Sequence, residues 1–275
     1  MKQKPAGEMT AEERIADIFR DPTYERRIVV FFDALGWRSQ ITQAGNDPSQ
    51  LGKLRRFIIG ARRILVGTAD SEIKKKQKTR ITTFSDNVVI SQTMHRLSPI
   101  LLIELGVIQI AALLDGILLR GGVTIGDIIH EEEVVFGPGL NRAYELESKV
   151  ADKPRIVLDE SFLRELRITP NIIAEEDGLK FIDPFSVDFI GHLRKIETSL
   201  GTKDLTPLGL PTVDSFRFVE PIGQLKLLLE RLKAQLRLPL NDRDWAKVAW
   251  LYDRIATRLG VPPASSYPRI PTGTG

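Results

Sequence analysis

The sequence predicts a mixed α+β fold whose elements follow the order strand, helix, strand, strand, helix, strand. Residues 26–33, RRIVVFFD, form a compact apolar and β-branched run that is typical of a buried strand. Residues 80–92, RITTFSDNVVISQ, contain two β-rich runs joined by turn-forming residues around Asp86. Residues 98–116 are apolar almost all round, which indicates a helix that other elements cover on most sides.

The two remaining elements of this order are a helix and a strand. Apolar residues at three- and four-residue steps predict a helix at about 49–66, and LLRGGVTIGDII predicts a strand at 118–129. The complete order is that of a ferredoxin-like βαββαβ fold, an antiparallel sheet with both helices on one face. A helix through NRAYELES and strands at RIVLD and LKFID extend the same domain.

The chain divides into five segments by composition and hydrophobic pattern. We expect a helical arm at 1–25, a catalytic domain at 26–193 and a polar linker with Gly and Pro at 194–220. Leucines and aromatic residues at helical spacing predict a C-terminal helical hairpin at 221–260. The composition of 261–275 predicts a disordered tail.

Composition excludes several classes of function. Of 275 residues, 42% are apolar, which suffices for a substantial core. The absence of cysteine excludes disulfides, thiolate metal ligands and a cysteine nucleophile, and agrees with a cytoplasmic location. A net charge of only +3 gives no indication of nucleic-acid binding. Polar interruptions in 98–116 favour a buried helix over a membrane span, and the polar N-terminus predicts no secretion signal.

Two acidic residues stand at positions where a carboxylate is unusual. Asp33 ends the first buried strand and Asp86 lies in the turn of the central hairpin. In a βαββαβ sheet these two places are neighbours, so the carboxylates are predicted to converge and to bind Mg²⁺ or Mn²⁺, which prefer oxygen. A pair of such ions suits phosphoryl transfer. The alternatives are a helix or turn cap at Asp33 and an Asx-turn at Asp86.

Four segments resemble, in order, the motifs of class III nucleotidyl cyclases. They are FFDALGW, TTFSDNVVIS, LRGGVTIG and VVFGPGLNRAYELE, and the resemblance covers residues 26–185. The fold implied is a class III cyclase palm with a C-terminal helical extension. The sequence from RGGVTIGD to FGPGLNRAYELE is most similar to that of the pyrimidine cyclases, uridylate and cytidylate cyclases, of Pycsar anti-phage systems.

This resemblance assigns the metal ligands and the residues beside the phosphates. Asp33, Asp86 and the backbone carbonyl of Ala34 correspond to the ligands of two Mn²⁺ or Mg²⁺ ions per site. Phe31 and Phe32 correspond to residues beside the triphosphate.

The resemblance also implies a composite site in a homodimer. Asn141 matches the asparagine that orients the ribose, on a helix that faces the metals of the partner chain. The family's arginine four residues later is Glu145 here, and Arg142 is the candidate replacement. Arg120, in the strand motif, remains open between a structural ion pair and the site.

The resemblance leaves the substrate base partly open. Thr82 and Val134 stand where purine cyclases carry a base-reading lysine and aspartate, which favours a pyrimidine, UTP or CTP. The sequence does not choose between these two. The cyclic nucleotide produced would act on a separate effector protein. The alternatives are a purine (adenylate or guanylate) cyclase and a non-catalytic nucleotide-binding palm.

The histidines are assigned to no site. His95, His130 and His192 have no spacing that suits metal ligands.

Overall fold

The fold was determined as a computed structural model that describes residues 19–66, 78–95, 98–166, 171–186 and 221–270, together with Thr10, Glu12, Ile15 and Phe189. The predicted linker at 194–220, most of the predicted arm at 1–25 and His192 lie outside the described residues.

The first half of the domain has the predicted order of elements. Its strands and helices are β1 (Glu25–Ala34), α1 (Trp37–Ala44), α2 (Pro48–Val66), β2 (Arg80–Phe84), β3 (Asn87–Gln92), α3 (Pro99–Leu114) and β4 (Leu119–His130). The second half contains β5 (Val135–Phe136), α4 (Pro138–Glu145), a π-helical segment (Leu146–Val150), β6 (Ile156–Leu158), α5 (Glu160–Glu165), β7 (Ile173–Glu176) and β8 (Leu179–Ile182). Two long helices follow, α6 (Pro221–Leu236) and α7 (Asp242–Leu259).

The described strands form one mixed sheet whose order confirms the predicted fold. The order is β2-β3-β1-β4-β6-β8-β7, with β5 paired to the end of β4. The first four strands pair with one another in antiparallel orientation, as a βαββαβ unit requires, and β6 joins β4 in parallel.

The faces of the sheet follow the alternation of residues along β1. Ile28, Val30 and Phe32 belong to the main core together with apolar residues of α2 and α3. Val29 and Phe31 point the other way, where α4 covers part of the sheet. We call this second side of the sheet, which also carries Asp33, the site face.

Helix α4 lies on the site face because glycines let it approach closely. A Cβ atom at Gly122 would overlap the side chain of Leu146 and lie 2.8 Å from the carbonyl oxygen of Ala143. Gly126 and Gly139 meet in the same way, since a Cβ at Gly126 would lie 2.7 Å from the Cα of Gly139. The glycines of the RGGVTIG motif therefore position the helix that follows it.

The C-terminal helices are part of the main core. Leu225, Leu228 and Leu232 of α6 are fully buried in the main cluster, and Trp250 of α7 donates a hydrogen bond of 2.8 Å to Glu176 of β7. The two helices of this C-terminal extension thus pack against the domain. Within the described ranges, no helix combines the length and the hydropathy needed to cross a bilayer.

Residues 261–270 correct the prediction of a disordered tail. Ala264 is fully buried, and its backbone N–H donates to the Asp253 carboxylate at 2.6 Å. The hydroxyls of Tyr252 and Tyr267 lie 2.9 Å apart, and the Arg269 guanidinium lies 4.4 Å from the centre of the Trp245 ring. Composition failed here because a few anchoring contacts order an otherwise polar segment. Residues 271–275 lie outside the described residues.

Candidate active site

Asp33 occupies the end of β1 on the site face. Its register partner on β4 is Arg120, whose guanidinium lies 3.9 Å from the Asp33 carboxylate. The chain then turns at Gly36, which has a φ of 72°, and enters α1. Only glycine adopts this backbone conformation without strain, so the small residues after Asp33 serve to turn the chain away from the carboxylate.

The turn that carries Asp86 is held against the end of β1 by α1. The indole N–H of the buried Trp37 donates a hydrogen bond of 3.0 Å to the hydroxyl of Ser85. Asp86 is near enough that its charge helps to raise the pKa of Asp33. The structure thus places the turn of Asp86 beside the end of β1, and a metal site shared by the two carboxylates stays a prediction.

The carboxylate of Asp33 is in an electrostatic environment that disfavours its charge. Burial is the largest cause, and the negative charge of Glu147 is the second. With a smaller contribution from Asp86, these effects raise the pKa of Asp33 from 3.8 to about 7, although the positive charge of Arg120 acts to lower it. One oxygen, Oδ1, is buried without a hydrogen-bond partner. An unpartnered buried carboxylate oxygen is a position that a bound cation would satisfy.

Glu147 is a site residue that the sequence did not identify. It lies in the π-helical segment, is 2% exposed, and accepts a hydrogen bond of 2.5 Å from Nε of Arg120. Arg120 is thus the ion-pair partner of both Asp33 and Glu147. The signal was present in the sequence, because Ala143, Leu146 and Glu147 share one helical face and an acid on an apolar face requires a partner.

The donor set fits a divalent cation that also binds a substrate. Within the described part of the chain, no group of three or more acidic or histidine side chains is arranged to hold a metal ion. Asp33, Asp86 and the carbonyl of Ala34 would supply oxygen ligands, and Mg²⁺ commonly completes such a set with water and substrate phosphates.

The two phenylalanines before Asp33 lie on opposite faces. Phe31 is on the site face, where its ring meets that of Tyr144 edge-on at 5.4 Å. Phe32 is fully buried in the main core, because alternate residues of a strand point to opposite faces. The expectation that the Phe32 side chain lies beside the triphosphate is wrong.

Asn141 and Arg142 on α4 have different environments. Asn141 is exposed to solvent. Arg142 donates to the Asp159 carboxylate at 2.6 Å through Nη2 and at 3.2 Å through Nε. Burial acts to raise the pKa of Asp159, but hydrogen bonds from Arg142 and two hydroxyls outweigh it and hold that pKa below its ordinary value. Arg142 is therefore held in an ion pair within its own chain.

Thr82 and Val134 are separated on the surface around the site face. Thr82 of β2 pairs with Val89 of β3, which pairs with Phe31 of β1, so the three side chains lie side by side on the site face. The Thr82 hydroxyl is 3.0 Å from Nε2 of His130. Val134 is 45% exposed in the loop between β4 and β5. His130, which the sequence analysis assigned to no site, is thus in contact with a predicted base-reading position.

Solved structures that resemble this chain include guanylyl cyclase domains. Neither a protein-family model nor a curated protein matches the sequence. The catalytic core of a rhodopsin-guanylyl cyclase with converted specificity, in complex with ATPαS, has a TM-score of 0.42 and 14% identity over 58% of this chain and 97% of its own. The guanylyl cyclase domain of RhoGC from the aquatic fungus Blastocladiella emersonii has a TM-score of 0.44 and 14% identity over 58% and 95%.

Two further structures have lower TM-scores. The guanylyl cyclase Cya2 gives 0.35 with 16% identity over 59% of this chain and 93% of its own. A class III adenylyl cyclase-like ATP-binding protein from Pseudomonas aeruginosa gives 0.38 with 12% identity over 81% and 50%. The fold of the present chain rests on its own strand order and register.

Proposed function

We propose that this chain is a nucleotide cyclase that converts a pyrimidine nucleoside triphosphate, UTP or CTP, to its 3′,5′-cyclic monophosphate and pyrophosphate. The observation that carries the proposal is the buried Asp33 carboxylate, which has an unpartnered oxygen and lies beside the turn of Asp86 on an open sheet face. Such a carboxylate is costly to bury unless a cation binds there, which supports a site for metal and phosphate.

The reaction requires one bond to form and one to break. The ribose 3′ oxygen bonds to the α-phosphorus, the α–β phosphoanhydride bond breaks, pyrophosphate leaves and the hydroxyl proton passes to solvent. Bound Mn²⁺ or Mg²⁺ would lower the pKa of the attacking hydroxyl and offset charge on the phosphates. Asp33, Asp86 and the Ala34 carbonyl would hold the ions, and the pair of Arg120 with Glu147 would keep Asp33 in place.

A homodimer with composite sites agrees with the exposed surface around the site face. Phe84 is 78% exposed, Tyr144 52%, and Phe136 and Val134 45% each. Exposed apolar side chains next to the site, Phe84 on β2 and Tyr144 against Phe31, favour an interface there. Asn141 on α4 is exposed beside Tyr144, where it is free to reach the nucleotide of a partner chain.

The pyrimidine assignment rests on the types of residue at Thr82 and Val134. Neither carries the charged group that a purine cyclase has at the matching position in the resemblance, so the pair of adenine-reading contacts is missing. The resemblance to Pycsar cyclases further suggests that the product acts on a separate effector protein in anti-phage defence.

One observation favours a second candidate, a palm that binds nucleotide without turnover. The candidate transition-state arginine, Arg142, is paired with Asp159, and Glu145 stands where the resemblance leads us to expect an arginine. Purine specificity through other residues remains the alternative within the enzyme class.

The test is incubation of the purified protein with Mn²⁺ and each of the four ribonucleoside triphosphates, with products identified by mass spectrometry. The proposal predicts a cyclic pyrimidine monophosphate and equimolar pyrophosphate, and no product from Asp33→Ala. Cyclic AMP or cyclic GMP as the main product would retain the chemistry and overturn the base assignment. Nucleotide binding without product would favour the non-catalytic candidate.

A further inference from the structure

A line of buried polar side chains ends at Thr82 on the site face. Nε of Arg27 donates to the Ser91 hydroxyl at 2.9 Å, and that hydroxyl lies 2.9 Å from Nδ1 of His130. Nε2 of the same ring lies 3.0 Å from the Thr82 hydroxyl. Arg27, Ser91 and His130 are each no more than 1% exposed, so their hydrogen bonds are not exchanged freely with water.

Burial and two neighbouring guanidinium groups keep the ring of His130 neutral. Burial is the main cause, and the guanidinium groups of Arg27 and Arg80 add to it, so that the pKa of His130 falls to about 4. Arg27 itself is held by Glu25, whose carboxylate accepts from Nη1 at 2.6 Å. At neutral pH the imidazole therefore carries one hydrogen, on one of its two nitrogens.

The hydrogen bonds around Ser91 assign that hydrogen to one nitrogen. Because Nε of Arg27 can only donate, the Ser91 oxygen accepts from it. Among the described residues, Nδ1 of His130 is the acceptor for the Ser91 hydrogen, which would otherwise be buried without a partner. Nδ1 is then the acceptor, so the hydrogen is on Nε2 and is donated to the Thr82 oxygen. Among the described residues, the Thr82 hydroxyl has no acceptor for its own hydrogen. That hydrogen is therefore available for a hydrogen bond to a ligand on the site face.

Thr82 is placed where the base of a bound nucleotide would lie. In the sheet it is two strands across from Phe31 and shares the face of Asp33, which is roughly 12 Å away by strand spacing and rise. That distance suits a ribose and base that extend from phosphates held at Asp33. Thr82 is also partly exposed on this face.

We infer that His130 orients Thr82 as a hydrogen-bond donor to the base, so that the site prefers a base with a carbonyl at that edge, and among pyrimidines UTP over CTP. The inference rests on the proposed function. The O4 atom of uracil accepts the Thr82 hydrogen, whereas the N4 amino group of cytosine can only donate and leaves that hydrogen without a partner, which costs binding. His130 is a positioning residue here, since it acts through Thr82.

The experiment compares binding of the α,β-methylene analogues of UTP and CTP, which cannot be cyclised, by calorimetry in the presence of Mg²⁺. The wild type should bind the UTP analogue about tenfold more tightly. Thr82→Val should abolish this preference by weakening the UTP analogue, and Thr82→Ser, which keeps a hydroxyl, should retain it. Thr83→Val is the matched control, because Thr83 is the next residue of β2 and points to the other face.

A second measurement reads the ring of His130 without any nucleotide. Two-bond proton–nitrogen correlation spectra at pH 7, with the signal assigned from His130→Gln, should show a neutral ring protonated at Nε2. An Nδ1-protonated or charged ring would overturn the inference, as would equal binding of the two analogues or a Thr82→Val protein with unchanged preference. If cyclic product forms from UTP but the preference is absent, the inference alone fails. If neither analogue binds, the proposed function fails and takes the inference with it.

Discussion

Replacing Asp33 by Asn should stabilise the metal-free protein, and increasingly so as the pH rises. Below pH 3.8 the Asp33 carboxyl is protonated in both the folded and the unfolded chain. Between pH 3.8 and about 7 it ionises in the unfolded chain but stays protonated in the folded one, which favours unfolding. The stability that wild-type Asp33 contributes at low pH is therefore lost as the pH rises to about 7, and Asn does not lose it.

The size of this effect follows from the same pKa. The difference between 3.8 and about 7 corresponds to about 4 kcal/mol as an upper bound. The Asp33 side chain is 22% exposed and lies 3.9 Å from Arg120, so solvent and that cation relieve part of the cost. We expect a gain in the free energy of unfolding of about 2 kcal/mol at pH 8 and close to none at pH 4.

The assay is urea unfolding followed by tryptophan fluorescence in chelator-treated buffer at several values between pH 4 and pH 8. Asp127→Asn is the matched control, since Asp127 is exposed on β4, and it should not be more stable than wild type at pH 8. The reasoning is refuted if Asp33→Asn is no more stable than wild type at pH 8, or if its gain is the same at pH 4 and pH 8.

Three further substitutions test the surroundings of the site and the core. Glu147→Gln removes a negative charge that favours a bound cation as it favours the proton of Asp33, so Mn²⁺ affinity at pH 8 should fall about three- to tenfold in an electron paramagnetic resonance titration. Gly122→Ala introduces a Cβ into the contact with the π-helical segment and should cost about 1–3 kcal/mol in urea unfolding. Leu228→Ala should cost about 2–4 kcal/mol, because this side chain of α6 is fully buried in the core.

Each of these predictions has a control in the same chain. Glu145→Gln, on the half-exposed side of α4, should leave Mn²⁺ affinity unchanged. Gly52→Ala, in α2 with only the flexible end of Arg56 near its Cβ, should not destabilise the protein. Leu238 is 52% exposed, so Leu238→Ala should change stability by no more than about 0.5 kcal/mol. A control with the same effect as its partner variant would contradict the structural reason given.

The part of the fold that the sequence predicts correctly is the part in which local pattern and core burial agree. The apolar run of β1 and the β-rich runs around Asp86 could only be strands of one sheet, and their order restricts the topology to few choices. The proximity of Asp33 and Asp86 follows from that topology, because neighbouring strand ends and turns meet at one edge.

The parts that the sequence does not predict depend on contacts between distant residues. Glu147 becomes a site residue only because it meets Arg120 of β4. His130 becomes part of the site face only because the end of β4 brings its ring to Ser91 and Thr82. A local pattern can mark Glu147 as an acid that requires a partner, but it does not identify Arg120 as that partner. Phe32 is the opposite case, because a local rule would have been enough. The motif resemblance predicted its side chain beside the triphosphate, whereas the alternation of residues along the strand places it in the core.

The central claim, that Asp33 and Asp86 form a divalent-cation site, is tested most directly by titrating Mn²⁺ into the protein at pH 8 and following free Mn²⁺ by electron paramagnetic resonance. The account predicts that Asp33→Asn and Asp86→Asn each weaken Mn²⁺ binding at least about tenfold, while Asp127→Asn binds as the wild type does. Unchanged Mn²⁺ binding by Asp33→Asn would contradict the claim.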